Sequence, residues 1–362
     1  MLQALVLALT GFAALVLEVV WARWFATVYG GTVPAGAAVL CAYLGGLALG
    51  GFWLGRRADR SAAPNRLLGL LQLGVGALAL ISLVVPAVLP VLYGTTVPAG
   101  SSGLLRGTVR FALAALFLLL PGVLMGGTLP AAVRWRGGED EPGVAAAAGA
   151  LRFANCVGAA AGALTAAYVI IPGLGLSGSV CVAAGISFLA AGLAMTCGNG
   201  GPGGTEPATG SAAFDKVFPG RPGARPERKK RSARRLEEEA GPPMPVAAGV
   251  LLAVFAGLLT LSCELAQVRA VAFFASGTIY SFATVTAVYI AALGLGSGAG
   301  AALVWFLGRG NGAARLAVAL ALTGAGAGLY VPMMAAAGGG SVLWLAVLAA
   351  APTAPPLGAV FP

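Results

Sequence analysis

Histidine is absent from all 362 residues. With no imidazole, Ser-His-Asp and Cys-His catalysis and His-ligated metal sites are excluded together. Charge is nearly as scarce, at 9% of residues, where a soluble domain carries about 25%. So few charged groups cannot cover a water-facing surface, which excludes a soluble enzyme. The five cysteines (Cys41, Cys156, Cys181, Cys197 and Cys263) are scattered without CxxC spacing. They read as small buried hydrophobes, not as a metal or redox centre. No catalytic residue, metal ligand set or cofactor is therefore expected. What the chain does have is apolar length: 59% of residues are hydrophobic and mean hydropathy is +0.91. Its apolar runs reach about 20 residues, the length of a membrane helix, where a barrel strand needs about 10. The expected class is an all-α integral membrane protein with the lipid bilayer as its main partner.

Hydropathy divides the chain into about ten spans, near 3–28, 35–55, 67–93, 109–133, 145–171, 174–196, 246–272, 279–304, 315–337 and 341–361. The first has no basic flank and contains Glu18, so it reads as a retained helix and not a cleaved signal. Three domains follow. Residues 1–197 form a six-helix half and 246–362 a four-helix half. Between them, 198–245 is Gly/Pro-rich, then basic, then acidic, which predicts a disordered charged linker.

The formal charge of +10 is a property of the connections. The linker alone holds nine Lys/Arg and six Asp/Glu. Arg56, Arg57, Arg60 and Arg66 flank the turn after the second span, whereas the turns after spans one and five carry no basic residue. Only Arg106 and Arg110 dissent. The positive-inside rule then places the N-terminus and the linker in the cytoplasm of a bacterial-type inner membrane. A basic surface confined to loops suits anionic lipid, and nucleic acid is not an expected partner.

An internal repeat organises the spans. Residues 11–51 align without gaps on 257–297, pairing Glu18 with Glu264, Arg23 with Arg269, Tyr43 with Tyr289 and Gly50 with Gly296. Six spans precede the second copy, so both copies should enter the membrane in the same direction. Parallel six-helix halves are the plan of major facilitator transporters. A second match sets Leu124–Pro130 against Pro356–Pro362, and the second half is expected to be incomplete by about two helices.

Glu18 and Glu264 are the acidic residues left inside apolar spans. A carboxylate at membrane depth costs about 2.5–3.5 kcal/mol on insertion scales, so it should face the bundle interior. Five residues separate each Glu from its Arg, placing the two on different helix faces. Glu18 and Glu264, with Tyr43, Tyr289, Arg23 and Arg269, are the expected site for a cation or a proton. The alternative is a structural pair, each Glu bonded to a neighbouring helix. The turn Gly55-Arg56-Arg57-Ala58-Asp59-Arg60 is read either as a cytoplasmic anchor or as a conformational turn through Gly55, Asp59 and Arg60. Its Gly-x-x-x-Asp-Arg pattern is similar to a turn of major facilitator proteins. The glycine rows around Gly46 and Gly294 read as close helix-packing surfaces, and Pro121 and Pro130 as kinks.

The segments LEVVWARWFATVYGGT, AYLGGLALGGFWLGRRADR, LPGVLMGGTLPAAVRW and LRFANCVGAAAGALTAAYVIIPGLG resemble the membrane portion of the fused major facilitator/spermidine synthase-like family. That resemblance implies a transporter-like bundle joined to an aminopropyltransferase-like domain. These residues contain no strand followed by a glycine-rich cofactor turn, so no such enzyme chemistry is expected from them. Two functions remain open. One is a transporter-like bundle handling a small cationic, polyamine-like metabolite. The other is a membrane scaffold for a synthase-like domain or chain at its C-terminal side.

Overall fold

The chain is described by a computed structural model over residues 1–137, 141–196 and 279–307, with Ala266 alone between them. These residues form α1 (Leu2–Tyr29), α2 (Val33–Asp59), α3 (Pro64–Ile81), α4 (Val85–Thr96), α5 (Gly103–Gly126), α6 (Thr128–Arg136), α7 (Glu141–Thr165), α8 (Ile171–Thr196) and α9 (Ile279–Leu307). A 3-10 turn at Ser82–Val84 joins α3 to α4, and a π turn at Ala166–Ile170 joins α7 to α8. No strand occurs among the described residues. The protein is a helical membrane protein.

Six helical stretches among these residues are long and apolar enough to cross a bilayer: Leu2–Tyr29, Pro34–Asp59, Pro64–Thr96, Gly103–Arg136, Ala147–Thr196 and Phe282–Ala299. The fifth has 50 residues and would measure about 75 Å if straight, over twice the ~30 Å hydrocarbon core. It breaks at Gly175, where φ is 71°. That left-handed conformation favours glycine, and the Ser179 hydroxyl donates to the Gly175 carbonyl at 2.7 Å as the helix restarts. The stretch is therefore two passes. Helix starts follow local chemistry: prolines occupy the first turns of α2 and α3, where no amide donor is missed. The Ser102 hydroxyl accepts from the Leu105 amide to cap α5.

Glycine seams set the directions of these passes. A Cβ on Gly158 would strike the Ala8 carbonyl and one on Gly162 the Phe12 carbonyl, so α1 and α7 run parallel. The Gly122 and Gly126 contacts with Tyr43 and Leu47 make α2 and α5 parallel as well. Between α3 and α8 the register reverses, with Gly69 facing Met195 and Gly76 facing Phe188. It reverses again between α7 and α9, where Cys156 meets Gly294 and Tyr168 meets Thr284. Phe25 packs on Phe117 and Tyr29 on Arg110, so α1 opposes α5. Helix α9 accordingly runs in the same direction as α2.

Two buried clusters fill the interior. One, around Trp21, Phe25, Tyr43, Leu89 and Leu118, lies towards the Tyr29 end of α1. The other, around Leu7, Leu68, Trp135 and Leu151, lies towards the Met1 end. The perimeter is apolar too: Leu116 is 66% exposed and Trp53 60%, as a lipid-facing surface requires. Lipid is as apolar as leucine, so helix association depends on close packing and on interhelical hydrogen bonds. Asn155 supplies one, donating from Nδ2 to the Leu7 carbonyl at 3.1 Å.

Helix α5 continues through Pro121 and gives way to α6 at Gly127, the residue between them. Inside a bundle, neighbouring groups compensate for a proline's missing donor. The linker 198–245, the spans expected at 246–272, 315–337 and 341–361, and the ten-helix count all involve residues outside those described.

Candidate functional site

Glu18 occupies the middle of α1, an otherwise apolar helix, and is half-buried. Its carboxylate lies within electrostatic range of Tyr43 on α2, and it has a polar partner. Tyr43 is 4% exposed and donates its hydroxyl to the Met125 sulfur at 3.3 Å. One turn along α1 from Glu18, Trp21 meets the Tyr43 ring edge-on with centroids 6.3 Å apart. The Trp21 Nε1–H donates to the Ser82 hydroxyl at 3.0 Å, which in turn donates to the Ala79 carbonyl at 2.7 Å. Buried polar groups need such partners, because each one left unmade costs about 1–3 kcal/mol. Glu18 thus sits beside a satisfied, rigid polar cluster formed by α1, α2, the α3–α4 junction and α5.

Arg23 is exposed, on a different face of α1 from Glu18. Tyr289 is fully buried on α9, at the register position that Tyr43 holds on α2. Glu264 and Arg269 lie outside the described residues. The structure therefore brings Glu18 and Tyr43 together and leaves Arg23 apart from them.

At the Met1 end, the last turn of α2 places Gly55 against Pro130 of α6. Asp59 and Arg60 are exposed there. Asp59 lines a cleft of about 400 Å³ with Leu129, Pro130, Val133, Arg134, Gly137 and Ala148. No ion pair joins Asp59 to Arg134 across it. Arg56 lies over the Phe52 ring at 4.0 Å, a cation–π contact beside the end of α2. Among the described residues no group of three or more Cys, Asp or Glu could hold a metal ion.

The contacts of several polar residues escaped the sequence reading. Arg110 bridges the ends of three helices: Nε donates to the Tyr93 hydroxyl and Nη2 to the Tyr29 carbonyl, each at 3.0 Å. Arg152 on α7 keeps its Nε buried without a hydrogen-bond partner. Tyr168, in the π turn, shares a hydrogen bond of 2.9 Å with Thr284 of α9. Asn155 and Arg152 carried a usable signal, since each is a polar residue inside an apolar span. Tyr168 carried none, because tyrosine at a span end is ordinary. No protein-family model matches this chain, and no curated protein matches it either.

Proposed function

We propose that this chain is a transporter-like helical bundle, major-facilitator-like in plan, that handles a small cationic, polyamine-like solute through Glu18 and Glu264. The observation that carries the reading is the half-buried Glu18 carboxylate beside Tyr43. Tyr43 recurs as the equally buried Tyr289 one repeat later. A carboxylate held inside apolar helices is costly unless it serves a solute, a proton or a partner.

The helix directions support the same plan. Helices α2 and α9 begin at residues 33 and 279, the offset of the sequence repeat, and run the same way. Among the first six passes the seams pair one with five, two with four and three with six. Exchanging the first three passes for the last three leaves that set unchanged, which is the pattern of inverted three-helix repeats.

The test is uptake of radiolabelled spermidine into proteoliposomes carrying Glu18→Gln or Glu264→Gln. Each change keeps the side chain's shape and removes its charge. Each should lower uptake severalfold with folded yield intact, and the double variant should add little. Equal loss of thermal stability in both variants, with cation binding unchanged, would assign the glutamates to structure and favour a membrane scaffold.

A further inference from the structure

Arg152 sits in an apolar part of α7, with no charged residue from 145 to 151 or from 153 to 159. Its Nε is buried without a hydrogen-bond partner. Arg110, by contrast, is bonded to Tyr93 and Tyr29. A cation among membrane helices ordinarily pairs with an acid or a carbonyl, because an unsatisfied charged group is costly. Glu18 does not serve here. Asn155 bonds to Leu7, so Arg152 lies nearer the Met1 end, and Glu18 is about 16 Å further along α1 than Leu7. No ion pair joins Arg152 to Asp59.

Its neighbours on α7 define where it stands. Ala148, four residues earlier, lines the cleft at the Met1 end with Asp59 and Arg134. Cys156, four residues later, meets Gly294 of α9. Residues four apart share a helix face, so Arg152 lies between the cleft and the α7–α9 seam. Arg134 and Arg152 set two cations against the single carboxylate of Asp59. In a site walled by Leu129, Pro130 and Val133, that imbalance is poorly screened and favours an incoming anion. The Nε–H and the adjacent Nη–H of an arginine form one edge that matches two oxygens of a phosphate.

We propose that Arg152 is the receiving group of an oxyanion site, taking a phosphate group that enters through the Asp59–Arg134 cleft. The phosphate belongs either to a free solute or to an anionic lipid headgroup. The site is separate from Glu18, and its test involves no cationic solute.

The full chain is held in dodecyl maltoside, a detergent without phosphate, and its thermal unfolding is followed. Inorganic phosphate is titrated in one arm and dioctanoyl phosphatidylglycerol in the other, with chloride holding ionic strength constant. A ligand of the folded state raises the melting temperature as the site fills. A rise with phosphate alone assigns the site to a free solute, and a rise with the lipid alone assigns it to the bilayer. A rise with both shows that the phosphate group suffices. Arg152→Gln should weaken the response about tenfold or more, the equivalent of a lost hydrogen bond to a charged group. Arg152→Lys should retain part of it. Glu18→Gln, and Arg106→Gln at the opposite end, should match the parent. If Arg152→Gln does not fold, Ala148→Leu, which narrows the cleft and keeps the arginine, should weaken binding in its place. No rise beyond chloride in either arm overturns the site. So does equal affinity in the parent and in whichever of these two variants folds, which would leave Arg152 an arginine whose head reaches water.

Discussion

Arg110 donates from Nη2 to the main-chain carbonyl of Tyr29 at 3.0 Å, so a side chain of α5 closes the C-terminus of α1. The return bond is also made, from the Tyr29 hydroxyl to the Arg110 carbonyl at 3.2 Å. The guanidinium lies 5.8 Å from the Tyr29 ring and 5.7 Å from the Tyr93 ring. A cation here is favoured by the partial negative charge at the helix end and by the faces of two tyrosines. This accounts for a basic residue at the end of the bundle where loop charge asymmetry expects none. Arg110 is a helix cap, and its charge is spent on α1.

Replacing Arg110 with methionine should therefore destabilise the bundle by about 1.5–3 kcal/mol, the range for lost hydrogen bonds to a charged group. Arg110→Lys should recover only part of this, since a single ammonium cannot reproduce the forked geometry. Thermal unfolding in detergent measures both. Equal stability of the methionine variant and the parent would show that the cap contributes nothing.

The close seams predict opposite outcomes for the same substitution at two glycines. Alanine usually gains about 0.5–1 kcal/mol over glycine in a helix. At Gly185, where a Cβ would meet nothing within 4 Å, that gain should appear. At Gly158 the Cβ would collide with the Ala8 carbonyl, and overpacking costs about 1–3 kcal/mol. The backbone cannot swing aside as a side chain could, so Gly158→Ala should lower the melting temperature.

Ser82→Ala removes the acceptor from the buried Trp21 indole and should cost about 1–3 kcal/mol. Trp21→Phe removes the donor instead, with some loss of packing. If the hydrogen bond is what matters, the double variant should be less destabilised than the sum of the two single changes. A double-mutant cycle on unfolding free energies decides this, and strict additivity would count against it.

Reporter fusions at Asn65 and Gly175 should give opposite readings, because α3 begins at the Met1 end and the Gly175 break lies at the Tyr29 end. The basic loops predict a cytoplasmic signal at Asn65, with Gly210 and Gly312 alike, and a periplasmic one at Gly175. Identical signals at Asn65 and Gly175 would contradict the arrangement of passes.

Much of this was legible from residue order. Apolar run length located α1, α2 and α9 to within a few residues, because a helix in lipid must satisfy its own backbone and can end only where polarity returns. The two spans at 145–171 and 174–196 were separable for the same reason, although helix runs on through the π turn at Ala166–Ile170 and leaves helical geometry at Gly175. The ungapped repeat placed Tyr43 and Tyr289 in register, and both are buried. The five-residue spacing put Glu18 and Arg23 on different faces of α1.

Which helices touch was decided only by the tertiary structure. Glycine rows are written along α2, α3, α5, α7 and α9 alike, and nothing in their spacing says that Gly158 meets Ala8 while Gly294 meets Cys156. The same holds for Arg110 and Tyr29, 81 residues apart, and for Tyr168 and Thr284, 116 apart. Hydrophobic periodicity carries little of this information when every face is apolar. In lipid the partner is chosen by backbone approach and by a few polar bonds, and those exist only once the helices are assembled.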